Sequence, residues 1–249
     1  MKVALITGGA GAIGAATARM LAQDGFSVVL ADVEKQRAQA IAEEVRRAHS
    51  VEAIAKQIDL YDVAAIKALV VSIKDQFGRL DCLVNNAGRT GASKIDAVDL
   101  DEWNAILALN LTAPMRLCQE AVPLMRASGG GSIINVASRV YLSGTGVGYT
   151  SSKTGLIGLT KALAVQLGKD RIRVNAVAPS FLNTPFNKKI VEENSALADG
   201  FRKITPLGRL GTAEDVAGAI AFLASDRASF ITGDVLHVCG GSQLAPQPV

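Results

Sequence analysis

The stretch Val3-Ala4-Leu5-Ile6-Thr7-Gly8-Gly9-Ala10-Gly11-Ala12-Ile13-Gly14 decides how the rest of the chain is read. Its four leading apolar residues suit a short strand covered on both faces, and a glycine-rich turn follows them directly. After the turn, apolar positions recur at helical spacing to about residue 24. Glycines at 9, 11 and 14 satisfy the spacing G-x-G-x-x-G. In a strand–turn–helix unit such small residues let the backbone approach a pyrophosphate, whose charge the helix N-terminus stabilises. With 24 glycines in the chain, the spacing alone is a weak signal. The strand before it, the helix after it and Asp32, eighteen residues past Gly14, give it weight.

Working outward, the same alternation runs through the chain. Apolar, β-rich runs at 3–6, 27–31, 53–58, 80–84, 132–136, 173–178 and 235–238 read as strands. Helical patterns lie between them at 12–24, 35–48, 62–77, 99–126, 148–168 and 212–224. Asp62, and Thr212 with Asp215, mark helix starts, and Gly78 a helix end. Seven strands alternating with helices predict an α/β fold: a doubly wound sheet of seven mainly parallel strands, helices on both faces, in a single domain spanning 1–249. The segment 180–211 carries Pro185, Pro206 and many polar residues but no strand pattern. It reads as a helical insertion, a substrate lid over the edge where such sheets bind ligands.

Composition narrows the class. The chain has 249 residues, 49% of them hydrophobic, and a net charge of +3 that is spread rather than bunched. Arg46-Arg47 and Lys188-Lys189 are too short for a nucleic-acid arm or a membrane patch. Four apolar residues ahead of the glycines are too few for a signal peptide, and no apolar run approaches the ~20 residues of a membrane helix. Cys82, Cys118 and Cys239 are odd in number and far apart, and the histidines are His49 and His237 alone, so neither a disulfide framework nor a metal site is expected. The expectation is a cytoplasmic protein without metal, nucleic-acid partner or membrane anchor.

Asp32, at the end of the second strand, bears on the choice of dinucleotide. A carboxylate there accepts hydrogen bonds from an adenosine ribose and repels a 2′-phosphate; at a dielectric of ~20, a unit charge pair 4 Å apart is worth about 4 kcal/mol. The places where a basic residue would welcome that phosphate hold Ala10, Gly11 and Val33. NAD is the expected cofactor. Asp59-Leu60 after the third strand and Asn85-Asn86-Ala87-Gly88 after the fourth fall where the rest of the dinucleotide would cross the sheet edge, although each would also suit an ordinary turn.

The chemistry-bearing residues lie further on. Tyr149 and Lys153, four apart, share one helix face. A lysine ammonium favours phenolate and is expected to pull the tyrosine down from its reference near 10, making a general base. Ser138 ends the fifth strand, where its hydroxyl could hold a substrate oxygen while Tyr149 moves the proton. Asn110 lies in the long helical pattern with Pro114 four residues on. Proline lacks the amide that would bond the Asn110 carbonyl, so that carbonyl is free to anchor a water.

Taken together, Thr7-Gly-x3-Ala-x-Gly14, Asn85-Asn-Ala-Gly88, Asn110, Ser138, Tyr149-x3-Lys153, Arg173-Val-Asn-Ala-Val-Ala-Pro179 and Phe230-Ile-Thr-Gly233 resemble the short-chain dehydrogenase/reductase family, end to end and in order. The resemblance implies a Rossmann-type fold and NAD(P)-linked oxidation of alcohols or reduction of carbonyls, in a homotetramer or homodimer. It implies a tetrad in which Asn110 serves a water relay, Ser138 positions oxygen, Tyr149 is the acid/base and Lys153 binds ribose and lowers the tyrosine. It also implies cofactor contacts at Gly8, Gly11, Ala12, Ile13, Gly14, Asp32, Asp59, Leu60, Asn86, Ala87, Gly88, Tyr149, Lys153, Pro179, Leu182 and Thr184. The sequence departs from the family pattern at Ala12 in place of a glycine, at Ser180 after Pro179, at Cys239, and in the ten residues between Ser138 and Tyr149.

Leu142, Val147, Phe181, Leu182 and Phe186 give the expected substrate pocket apolar walls, with Ser138 and Tyr149 at its reacting end. Arg139 and Tyr141 could instead read a carboxylate or polar substituent, although a solvated loop arginine is the plainer reading. The main expectation is an NAD-dependent oxidoreductase of secondary alcohols and ketones. The alternatives are a dinucleotide-sensing protein without turnover and an NADPH-linked 3-oxoacyl reductase. The first has no need of Ser138, Tyr149 and Lys153 together, and Asp32 points away from the second.

Overall fold

The computed structural model describes residues 1–91, 94–184, 187 and 195–244. Its seven strands are β1 (Lys2–Thr7), β2 (Phe26–Asp32), β3 (Ala53–Gln57), β4 (Cys82–Asn85), β5 (Gly131–Val136), β6 (Ile172–Pro179) and β7 (Val235–Val238), paired in the order β3-β2-β1-β4-β5-β6-β7. Every pairing is parallel. Each expected strand is present; the inner ones are covered on both faces and apolar almost throughout, while the edge strands β3 and β7 are only part-buried.

Helices α1 (Ala12–Gln23) and α2 (Lys35–Ala48) cover one face, together with α9 (Ala213–Ala224), and bury Leu21, Ile41, Val216 and Ile220 against β1, β2 and β5. Helices α3 (Val63–Phe77), α5 (Ala113–Ala127) and α7 (Val147–Leu167) cover the other, where Ile73, Leu117 and Leu167 meet Leu5, Leu83 and Ile133. The helix-start signals act as read. The Asp62 carboxylate accepts from the Ala64 and Ala65 amides, and Thr212 with Asp215 forms a reciprocal capping box. Gly78 closes α3 in the left-handed conformation at φ 68°.

The long helix expected over 99–126 is not continuous. It divides into α4 (Leu100–Leu107), a π-helical turn over Ala108–Thr112 and α5. The Ala113 amide bonds back to the Ala108 carbonyl, five residues away. Pro114 offers no amide to the Asn110 carbonyl, so the ladder cannot stay α-helical there, and a π turn absorbs the break. The short α6 (Val140–Ser143) was not expected. Within 180–211, Leu182 bridges to Gly211 and α8 spans Ser195–Lys203. None of the described helices is long and apolar enough to cross a membrane.

The strand order reverses at β1, between β2 and β4, and places Thr7, Asp32, Asn85, Val136 and Pro179 along one edge of the sheet. Open α/β sheets bind ligands at such a switch point.

Candidate active site

The glycine turn is held from below. Thr7 ends β1 with a buried hydroxyl that donates to the Val84 carbonyl at 3.3 Å and accepts from the Asn86 and Ala87 amides at 3.0 and 3.2 Å. The Asn86 amide nitrogen donates in turn to the Thr7 and Gly8 carbonyls at 2.9 and 3.0 Å. Thr7 was not picked out as a site residue, though a hydroxyl closing an apolar strand just before a glycine turn is a legible signal.

Gly14 packs so closely that a Cβ there would lie 2.2 Å from the Gly8 carbonyl oxygen. The turn therefore feeds directly into α1, whose N-cap Gly11 brings no side chain and whose first turn holds no acid. The leading amides at Ala12, Ile13 and Gly14 have no carbonyl of their own helix to bond. That donor set, with a positive helix end behind it, fits a diphosphate.

Asp32 leans over the same turn. One carboxylate oxygen accepts from the Ala10 amide at 2.9 Å, the other from the Glu34 amide at 3.0 Å. Its orientation is thus fixed, and each oxygen keeps a lone pair for a further donor. Exposed Asp59 accepts from the Tyr61 amide at 2.9 Å beside buried Leu60. Pro179 closes β6 and gives its carbonyl to the Arg139 amide, while Leu182 and Thr184 follow it, both buried.

Ser138 and the start of α7 meet at the carboxyl end of β5. The buried Lys153 ammonium donates to the Val136 carbonyl at 2.7 Å and sits 5.7 Å from the centre of the Tyr149 ring. Gly88 leaves room for it: a Cβ there would lie 3.3 Å from Lys153 Nζ and 3.2 Å from Asn110 Oδ1. Asn110 is fully buried, its side chain exchanging hydrogen bonds with the Arg89 backbone at both ends. Behind the site, Asn85 donates to Asn135 and Asn135 to Thr160, each at 2.8 Å, tying β4 and β5 to α7. The structure thus brings Ser138, Tyr149, Lys153 and Asn110 together.

Among the chain's own groups, burial dominates the electrostatics of this pair. Withdrawal from water pushes the Tyr149 phenol above its usual range, with the Ser138 hydroxyl pulling the other way. The same withdrawal drops Lys153 to about 8. Desolvation penalises phenolate and ammonium alike.

The two polar substrate candidates are engaged elsewhere. Arg139 Nη1 donates to the Ser242 carbonyl at 3.1 Å, and the Tyr141 hydroxyl meets His237 Nε2 at 2.8 Å with the rings stacked. Both hold the segment after Ser138 against the C-terminal strand and turn. Phe181 stacks on Phe201 of α8, ring centres 4.5 Å apart. Phe186 lies outside the described residues.

A family model described as enoyl-(acyl carrier protein) reductase matches residues 8–243. A relative, the 3-oxoacyl-[acyl-carrier-protein] reductase FabG of Thermotoga maritima, is 39% identical over 96% of this chain and 97% of its own. The chain belongs to the short-chain dehydrogenase/reductase family. As a short-chain dehydrogenase/reductase it is an oxidoreductase of a family that uses a nicotinamide dinucleotide. It is also 38% identical to the 3alpha-hydroxysteroid dehydrogenase of Mediterraneibacter gnavus, over 97% of both chains. Among solved structures, levodione reductase superimposes with a TM-score of 0.91 at 32% identity, covering 97% of each chain.

Proposed function

We propose that this short-chain dehydrogenase/reductase interconverts a secondary alcohol and its ketone with NAD(H). The observation that carries the reading is the convergence of Ser138, Tyr149 and Lys153 on the sheet edge that also holds the glycine turn. The relatives are named as reductases of oxo compounds and a hydroxysteroid dehydrogenase, which supports chemistry at a carbon–oxygen bond.

The diphosphate would lie on the Ala12, Ile13 and Gly14 amides between Gly8 and Gly11. Asp32, Asp59 and Leu60 would flank the adenosine, and Asn86, Ala87 and Gly88 the second ribose. Pro179, Leu182 and Thr184 would border the nicotinamide. When bound, the nicotinamide ring supplies or accepts the hydride.

The residues of the chain handle the proton. Ser138 holds the substrate oxygen by its hydroxyl. Tyr149, favoured as the neutral phenol by burial, donates its proton to that oxygen as a ketone is reduced; in the oxidation it first passes that proton to the water path and then, as phenolate, takes the proton of the alcohol. Lys153 is an ammonium below about pH 8. One of its three N–H groups is on Val136, leaving two for ribose hydroxyls and the Tyr149 side of the site. The Asn110 carbonyl, freed by Pro114, anchors a water that replaces the proton. Phe181 lines the pocket from the 180–211 segment, a lid over the bound substrate. Exposed Phe230 and Val165 offer apolar surface to the homotetramer or homodimer that family resemblance implies.

The choice of NAD rests on Asp32. Asp32→Asn keeps an oxygen for one of the two backbone amides, loses the acceptor of the other, and removes the charge that repels a 2′-phosphate. It should narrow the ratio of NADPH to NADH dissociation constants by roughly tenfold, about 1.4 kcal/mol. Fluorescence titration of wild type and variant checks this. An unchanged ratio contradicts the NAD assignment, and wild type binding NADPH more tightly than NADH supports the 3-oxoacyl reductase reading instead.

A further inference from the structure

Ser152 lies between the residues of the Tyr149–Lys153 pair and has no part in the proton chemistry above. It is fully buried, as is Asn110. Its hydroxyl donates to the Tyr149 carbonyl at 2.8 Å and accepts from Asn110 Nδ2 at 3.0 Å. Asn110 Nδ2 spends its other hydrogen on the Arg89 carbonyl at 2.9 Å, and Asn110 Oδ1 accepts from the Arg89 amide at 2.9 Å. A single side-chain amide therefore ties three segments together: the loop after β4, the π turn and the first turn of α7. Ser152 is its sole link in that set to the α7 turn that carries the phenol.

A serine inside a helix usually bonds a preceding carbonyl and points nowhere else. Here the hydroxyl is bonded on both sides, and the second bond crosses to another element. The π turn gives that bond its reason. In a continuous α-helix the side chain at 110 would point elsewhere around the axis, whereas the extra residue of a π turn rotates it. We infer that Ser152 is a positioning residue, which fixes the first turn of α7 to Asn110 and so sets where the Tyr149 phenol stands relative to Ser138 and Lys153. The inference rests on the acid/base role given to Tyr149 above.

Ser152→Ala is a mild test of the fold, since alanine is the best helix former and removes one oxygen. Displacing a reacting group by a fraction of an ångström is costly to rate and not to binding. The variant should lose roughly tenfold in kcat, with the NADH dissociation constant little changed and the thermal midpoint lowered by only a few degrees, because Asn110 Nδ2 keeps its bond to Arg89 and loses one partner. A second readout does not depend on turnover. The chain has three tyrosines, so tyrosine labelled at the ring Cζ alone gives three carbon-13 resonances, of which Tyr149→Phe identifies one. In Ser152→Ala that resonance should titrate closer to the ordinary tyrosine value than in wild type, as a loosened phenol regains water, while Tyr61 and Tyr141 stay put. If the Tyr149 resonance titrates as in wild type, the inference is overturned, whether or not any alcohol is turned over. If wild type is inactive on every substrate but the resonance shifts, the positioning role stands and the catalytic reading falls.

Discussion

Tyr149→Phe is expected to lower kcat by roughly two to four orders of magnitude and to leave NADH binding within about twofold of wild type. The ring is kept, so the apolar contacts at the start of α7 are kept with it; the loss is one oxygen and the proton it carries. General acid–base transfer by a placed side chain contributes roughly 10²–10⁴ in rate. No neighbour can assume the role. Lys153 is turned onto the Val136 carbonyl, and Ser138 is already given to the substrate oxygen. The steady-state rate on any accepted substrate, set beside an NADH titration, separates the two effects. Retention of more than a few per cent of wild-type kcat would remove Tyr149 from the reaction.

The second large effect is expected at the cofactor end. In Gly14→Ala the new methyl would stand 2.2 Å from the Gly8 carbonyl oxygen and 2.8 Å from the Gly9 Cα. Both are backbone atoms in a turn pinned by Asn86, so neither can swing aside as a side-chain tip would. The turn or the first helical turn must shift, and the amides offered to the diphosphate shift with it. NADH affinity should fall by two orders of magnitude or more, with an overpacking cost of about 1–3 kcal/mol in unfolding free energy. Gly158→Ala is the matched control. It lies within α7 with nothing within 4 Å of its added methyl, and should be stabilising by roughly 0.5–1 kcal/mol with binding intact. Calorimetric titration with NADH and urea unfolding of both variants check the pair; equal affinities would mean that the turn does not carry the cofactor.

These expectations draw on features that differ in how far they could be read from the chain itself. The inner strands were legible because a strand covered on both faces is apolar almost throughout, whereas the part-buried edge strands β3 and β7 showed mainly through their place in the alternation. Tyr149, Lys153 and Ser138 were legible for a related reason. A four-residue spacing on a helix is a position that local geometry alone defines, and Ser138, expected to end the fifth strand, stands two residues past Val136 at the same edge.

The π turn was half legible. Pro114 marks where the ladder must break, but the apolar pattern over 99–126 stays helical across it, since a single extra residue barely disturbs the period. The partners of Arg139 and Tyr141 were not legible at all. Ser242 and His237 stand 103 and 96 residues away in sequence, and nothing near Ser138 indicates that the C-terminal strand returns to it. The raised Tyr149 phenol belongs to the same class, because the charge at position 153 can be read from the sequence whereas the water excluded around both groups cannot.

The most direct test of the account is the appearance of reduced nicotinamide when wild type is given NAD and a panel of aliphatic, aryl, cyclic and hydroxy-acid secondary alcohols. The account predicts NADH formed in equal amount to the ketone from at least one class of alcohol. Tight NADH binding with no NADH formed from any of them, and no NADH consumed with the matching ketones, would contradict it.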